Sequence, residues 1–188
     1  MRLHTVKTAF FALALASLAA TAAAQAPAPP PLAVPNPTYA VIPLEITVNR
    51  PAAEVWKRVG KYCDIAEWLR IPTCTITAGK DGEIGAVRSV AAEILVGRTE
   101  LSYTYTQPVR EGRPYNLYHG TLEARPVSAT TSKLVYTLIF DNSMLADDAA
   151  RERDKAQRTA AFTTALENMK ILAEGGTLPL APPRGGRQ

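Results

Sequence analysis

The sequence predicts an α+β domain: a run of antiparallel strands, two short helices near its start and one long helix at its end. Three patterns predict it. Between Glu100 and Phe140, apolar and aromatic residues alternate with polar ones, the two-residue period of half-buried strands. Pro51 and Pro72 bracket two short apolar stretches with helical spacing. From Asp147 to Glu174 nothing breaks a helix, and Gly175-Gly176 ends it.

The elements follow in order. In "VIPLEITVN", Ile42, Leu44, Ile46 and Val48 share one face, which makes a half-buried strand. In "RPAAEVWKRVGKY", Val55 and Val59, with Trp56 beside them, give a short apolar stripe. "CDIAEWL" reads as a second short helix with Asp64 at its N-cap. "TCTITAG" is a strand that ends in the polar turn "GKDGEIG". "AVRSVAAEILVGRT" is either one long bent strand or two short ones. In "ELSYTYTQ", Leu101, Tyr103, Tyr105 and Gln107 face one way. "PYNLYHGTLEA" places Tyr118, Gly120 and Leu122 together, and "SKLVYTLIFD" does the same for Leu134, Tyr136, Leu138 and Phe140. In the final helix, Phe162, Leu166, Met169 and Ala173 step by four, three and four, a single buried stripe. Its first half, "ARERDKAQR", reads as a solvated face.

The first 24 residues have the anatomy of a cleaved secretory signal peptide. Arg2 and Lys7 form a positive start, Ala9 to Ala20 an uncharged apolar run, and "TAAAQA" supplies small residues for cleavage after Ala24. The run is too short and alanine-rich to serve as a stable membrane anchor. The expected localisation is periplasmic or secreted. Residues 25–39 form a proline-rich linker, 40–176 the folded domain and 177–188 a disordered tail.

Export puts the chain in an oxidising compartment, where an isolated pair of cysteines bridges by default. Cys63 and Cys74 are the only two in the chain and are expected to form a disulfide; free thiols are the alternative. Loss of Arg2 and Lys7 lowers the formal charge from +4 to +2, and no basic run carries interleaved aromatics, so nucleic acid is not an expected partner. Beyond the leader only His119 remains, which excludes multi-histidine metal sites. No Gly-x-Ser-x-Gly elbow and no phosphate-cradling loop occurs. No metal or cofactor is expected, and no catalytic residue is identified.

An antiparallel sheet buries one face, and the only large apolar partner here is the terminal helix. A bent sheet closing on one helix leaves a space between them, suited to a small apolar ligand. The residues expected to line it are Trp68, Tyr103, Tyr105, Tyr118, Tyr136, Leu138 and Phe140, with Phe162, Leu166 and Met169 from the helix. Inward tyrosines either hydrogen-bond an oxygenated ligand or form ordinary core with their hydroxyls at the rim. Arg88 and Glu93 fall on a strand pair and either carry a buried ionic contact or form an exposed cross-strand one, the commoner arrangement. Glu67 is placed near the cavity mouth or on a solvated helix face.

The segment "ITVNRPAAEVWKRVGKYCDIAEWLRIPTC", then "GAVRSV", then the aromatic strands and final helix resemble the START/Bet v 1-like superfamily of polyketide cyclase/dehydrase-like proteins over about residues 42 to 174. Gly60, Cys63, Ile65, Ala66, Trp68, Cys74 and the run Gly85 to Arg88 are similar to an exported bacterial subgroup related to periplasmic accessory proteins of methanol oxidation. The resemblance implies a helix-grip fold with a cavity between sheet and long helix, and turns Tyr118 and Leu122 inward and His119 outward. The compact stretch between Arg88 and Tyr103 departs from the pattern, as though a strand were merged or lost. Three functions are implied: binding of a small apolar, aromatic or lipid-like molecule, cyclase- or dehydratase-like catalysis, or an accessory role with a periplasmic protein partner.

Overall fold

The structure, a computed structural model, describes residues 36–110 and 112–179. The leader expected at 1–24, the linker up to residue 35 and the tail from residue 180 lie outside the described residues.

Seven strands form one antiparallel sheet: β1 (Tyr39–Val48), β2 (Ile76–Ala78), β3 (Val87–Arg88), β4 (Glu93–Arg98), β5 (Ser102–Thr106), β6 (Asn116–Pro126) and β7 (Ser132–Asp141). Their spatial order is β1-β7-β6-β5-β4-β3-β2. Between β1 and β2 the chain crosses through helices α1 (Ala52–Val59) and α2 (Ile65–Trp68), and the 26-residue α3 (Asp148–Ala173) follows β7. This is the helix-grip arrangement, with α3 lying on the concave face of a curved sheet.

The alternation read from sequence is the observed burial. Tyr103 and Tyr105, Tyr118 and Leu122, and Leu134, Tyr136, Leu138 and Phe140 are buried on the inner face, and His119 is exposed on the outer one. Irregularities curve the sheet: register shifts between Leu95 and Gly97 in β4 and between Asn116 and His119 in β6, the latter with Leu117 at φ 47°. The stretch after Arg88 loses no strand. A tight turn, with Glu93 N–H donating to the Val90 carbonyl at 3.0 Å, folds it into β3 and β4. Ala91 and Ala92 sit at φ 50° and 52° in this turn, a left-handed pair more usual for Asn-Gly.

Helix α3 begins at Asp147, whose carboxylate accepts the Ala150 N–H at 2.6 Å, and ends where Gly175 takes φ 88°. Its buried face holds Ala165, Leu166, Asn168, Met169 and Leu172, with Phe162 and Ala173 half-buried at its margin. Asn168 makes the polar contact of this face, donating to the Trp68 carbonyl at 2.9 Å and latching α3 to α2. Beyond the helix, Leu178 packs against the core and Arg70 donates to the Pro179 carbonyl.

Asp64 does not cap its own helix; its carboxylate accepts the Lys61 N–H at 2.9 Å, closing the turn before it. Cys63 and Cys74 are bridged, with sulfurs 2.06 Å apart across a sequence separation of 11. The bridge ties the start of α2 to the approach to β2, on one flank of the sheet. Replacing both cysteines by serine is expected to cost about 3 kcal/mol, the loop-closure value for so short a loop. Urea unfolding of the double variant beside the oxidised parent measures it; an unchanged midpoint would show that the bridge adds nothing.

Candidate functional site

The inner face is organised around a buried ion pair. Arg88 in β3 and Glu93 in β4 are cross-strand partners and only 0% and 3% exposed. Of the two arrangements, the commoner exposed one is corrected to the buried one, with Arg88 lying against Tyr62 in the α1–α2 connection. Arg88 Nε and Nη2 lie 2.6 and 2.5 Å from Glu93 Oε2, and Nη1 donates to the Tyr62 carbonyl at 2.6 Å. Glu93 Oε1 accepts Gln107 Nε2 at 2.7 Å, and Gln107 Oε1 accepts the Tyr115 hydroxyl at 2.7 Å. The guanidinium carbon lies 4.3 Å from the Tyr62 ring centre, 4.7 Å from Tyr105 and 5.8 Å from Tyr103.

These surroundings set the charges. Burial opposes the charge on Arg88, but the groups beside it, Tyr103 and Glu93 first, outweigh burial and hold the guanidinium cationic. Burial pushes the Glu93 carboxyl up, and Arg88 and Gln107 pull against it. Burial also raises the phenols of Tyr62, Tyr103, Tyr105, Tyr118 and Tyr136. They are protonated donors at neutral pH. The Tyr105 and Tyr136 hydroxyls bond each other at 2.9 Å, whereas the buried Tyr62 and Tyr103 hydroxyls and the Trp68 indole N–H have no hydrogen-bond partner.

The ten expected lining residues do come together, but as packed core. Trp68 meets Tyr136 edge-on at 6.2 Å, Tyr136 meets Phe162 at 4.8 Å, and Tyr118 stacks on Phe140 at 5.6 Å. Leu138, Leu166 and Met169 are buried among them. Gly120 makes one of these contacts possible: it pairs across the sheet with Tyr105, and a methyl there would overlap the Tyr105 ring. In the charged half of α3, one residue departs from the expected solvated face. Arg158, bonded to Asp154 at 2.9 Å, lies 4.5 Å over Tyr115 and 4.7 Å over Phe140, covering the end of the aromatic row rather than facing solvent.

Open space lies to one side, where α1 and the segment after it face the β2–β3 loop and the β4–β5 turn. This cleft holds about 240 Å³. Trp56, Tyr62, Leu95 and Tyr103 give it an apolar floor and wall, and Lys57, Lys61, Arg98 and Asp81 stand among its other lining residues. Gly60 lets the Trp56 ring lie flat against the backbone, since a methyl there would overlap the indole. Of the ten expected residues, Tyr103 lines this cleft and Tyr118 borders a narrow crevice near Gln107. Glu67 lies elsewhere, accepting both Arg58 Nη1 and Nη2 at 2.7 Å. Tyr62 and Leu95 were missed by sequence reasoning; the one signal for Tyr62 is its position between the glycine and the cysteine of the family-like segment.

Two outcomes are expected of the buried cluster. Arg88→Met should destabilise the fold by about 3–5 kcal/mol, because it strands a buried carboxyl, while Arg88→Met with Glu93→Leu should recover much of that loss in urea unfolding. The raised phenols have a definite sign: above the ordinary tyrosine value near 10 the unfolded chain has released protons that the folded chain still holds, so stability falls as pH rises. Tyrosinate absorbance from these five rings should therefore appear together with alkaline unfolding; ordinary titration of all five in the folded state would contradict the packing.

The family described as polyketide cyclase / dehydrase and lipid transport matches residues 40–174. No curated protein matches the chain in sequence. Among solved structures, a Thermobifida fusca protein is 24% identical with a TM-score of 0.60, covering 74% of this chain and 97% of its own. The Zhui aromatase/cyclase of a Streptomyces species is 20% identical with a TM-score of 0.56, covering 74% and 100%. A Nitrosospira multiformis protein is 20% identical with a TM-score of 0.53, covering 69% and 96%. At these identities the structures agree in fold, and the match across most of the chain establishes the rest: the chain belongs to the polyketide cyclase / dehydrase and lipid transport family, within the START/Bet v 1-like superfamily.

Proposed function

We propose that the chain is an exported binding protein for a small apolar or aromatic molecule, held in the cleft between α1 and the β4–β5 turn. The observation that carries this reading is the cleft itself: a concave site whose floor and wall are Trp56, Tyr62, Leu95 and Tyr103. The interior between sheet and α3 is closed by its own rings, so the ligand seat is moved to the flank. The leader in residues 1–24 supports an exported location. The segment from Gly60 to Cys74, with its disulfide, supports the narrower kinship with accessory proteins of periplasmic methanol oxidation, for which recovery of a stoichiometric periplasmic partner is the test.

A second reading, cyclase- or dehydratase-like catalysis, is favoured by one observation: the Tyr103 ring lines the cleft while its phenol is influenced by the fixed cation Arg88. The Tyr103 hydroxyl is itself buried, so a carbonyl seated in the cleft would reach this donor on outward rotation of the ring; a phenol backed by the Arg88 charge is a group able to stabilise a developing enolate. Aromatase/cyclases among the structural neighbours share the fold.

Titration with naphthylmethanol, followed calorimetrically, tests the first reading. Saturable binding is expected, with a loss of about tenfold in Trp56→Ala; absence of binding to a folded protein would reject it. Loss of water from a β-hydroxy ketone, followed by enone absorbance and abolished in Tyr103→Phe, is the outcome expected of the second.

A further inference from the structure

We infer that the cleft selects anions, and that its ligand class is a small planar apolar molecule bearing one carboxylate or similar negative group. This rests on the reading of the cleft as a binding site and adds the chemistry of its ligand.

Two features of the lining point to it. The first is an excess of positive charge: Lys57, Lys61 and Arg98 against the single carboxylate of Asp81. Lys57 lies in the last turn of α1 and Lys61 just past its C-cap, so both residues belong to the α1 side of the cleft. Arg98 comes from the end of β4 and donates to the Gly82 carbonyl, holding the loop that carries Asp81 against the opposite wall. Eight ion pairs occur among the described residues, and none includes Lys57, Lys61 or Arg98. Cations at Arg58, Lys80, Lys133 and Lys170, by contrast, each meet a carboxylate at 2.9 Å or less. The cleft thus carries more cations than carboxylates and none of them is held in a direct ion pair, Lys61 feeling Asp64 only at longer range.

The second feature is where the apolar surface lies. Tyr62, Leu95 and Tyr103 are almost wholly buried at the base of the cleft, and the half-buried Trp56 is the most exposed of its apolar residues. A molecule entering body-first would cover the aromatic floor and leave its charged end among the lysines. That orientation keeps the anion at the wet rim, where desolvation is small. A highly charged ligand such as a polyphosphate would leave the apolar floor uncovered, and a neutral one would leave the cations without use. Rim cations are individually weak, and their sum over two or three sites converts to about tenfold in affinity.

Calorimetry on the mature chain with three probes of matched shape tests this: naphthoate, naphthylmethanol and naphthylmethylammonium, at neutral pH and low salt. The expected order is anion, neutral, cation, with naphthoate about tenfold tighter than naphthylmethanol. Added salt should shrink that ratio, and Lys57→Gln with Lys61→Gln should bring it near unity by weakening naphthoate about tenfold more than naphthylmethanol. Equal binding of the anionic and neutral probes, or a preference that survives the double substitution, overturns the anion assignment and leaves the binding reading intact. Failure of all three probes to bind overturns both.

Discussion

The ion pair between Arg88 and Glu93 is the constraint on which the rest of the inner face depends. Two charges removed from water are tolerated only if each is hydrogen-bonded on every side. Glu93 meets that demand through both oxygens; Arg88 meets it at Nε and Nη1, through Glu93 and the Tyr62 carbonyl, while Nη2 has only the charge contact with Glu93 and the nearby faces of Tyr62 and Tyr105. The partners come from β3, β4, the end of β5 and the link between α1 and α2. Satisfying one charge pair therefore fixes four segments relative to one another. A purely apolar nucleus would bind as strongly but would specify less, since apolar contacts are not directional.

That constraint also explains where the cleft lies. Tyr62 and Tyr103 serve both regions, as neighbours of Arg88 on one side and floor of the cleft on the other. With the rings of Tyr105, Tyr118, Tyr136 and Phe140 filling the space under α3, the aromatic-lined concavity lies on the flank facing α1. Two glycines permit the arrangement. Gly120 allows Tyr105 to cross over β6, and Gly60 allows Trp56 to lie against the backbone and form the cleft wall. The fold is shared with relatives whose names refer to cyclisation; the placement of open space is a property of these particular side chains.

The fold was legible because its signals are periodic. Alternation along β5, β6 and β7, the four-three-four stripe of α3 and the prolines around the short helices each reflect which side of an element meets water. The disulfide was legible from an isolated cysteine pair taken together with the expectation of export. The site was legible only in part, and for physical reasons. Periodicity tells which side chains turn inward, but not whether the inward volume is filled; that depends on how Tyr136, Phe162 and Trp68 interlock in three dimensions. The buried state of Arg88 hinges on the two-alanine turn at Ala91 and Ala92, whose left-handed conformation nothing in the residue types announces. Arg158 looked like one more charge on a wet helix because sequence does not show that three aromatic rings wait beneath it.

The long helix follows every strand in the chain. Until it has been synthesised, the sheet can assemble its register but has nothing to lay across its aromatic side. A nascent chain halted before Asp148 would expose Tyr118, Tyr136, Leu138 and Phe140 together as one sticky surface, with the Trp68 carbonyl deprived of the Asn168 latch. The ordering of elements thus makes completion of the polypeptide, rather than pairing of the strands, the moment at which the molecule becomes safe from self-association.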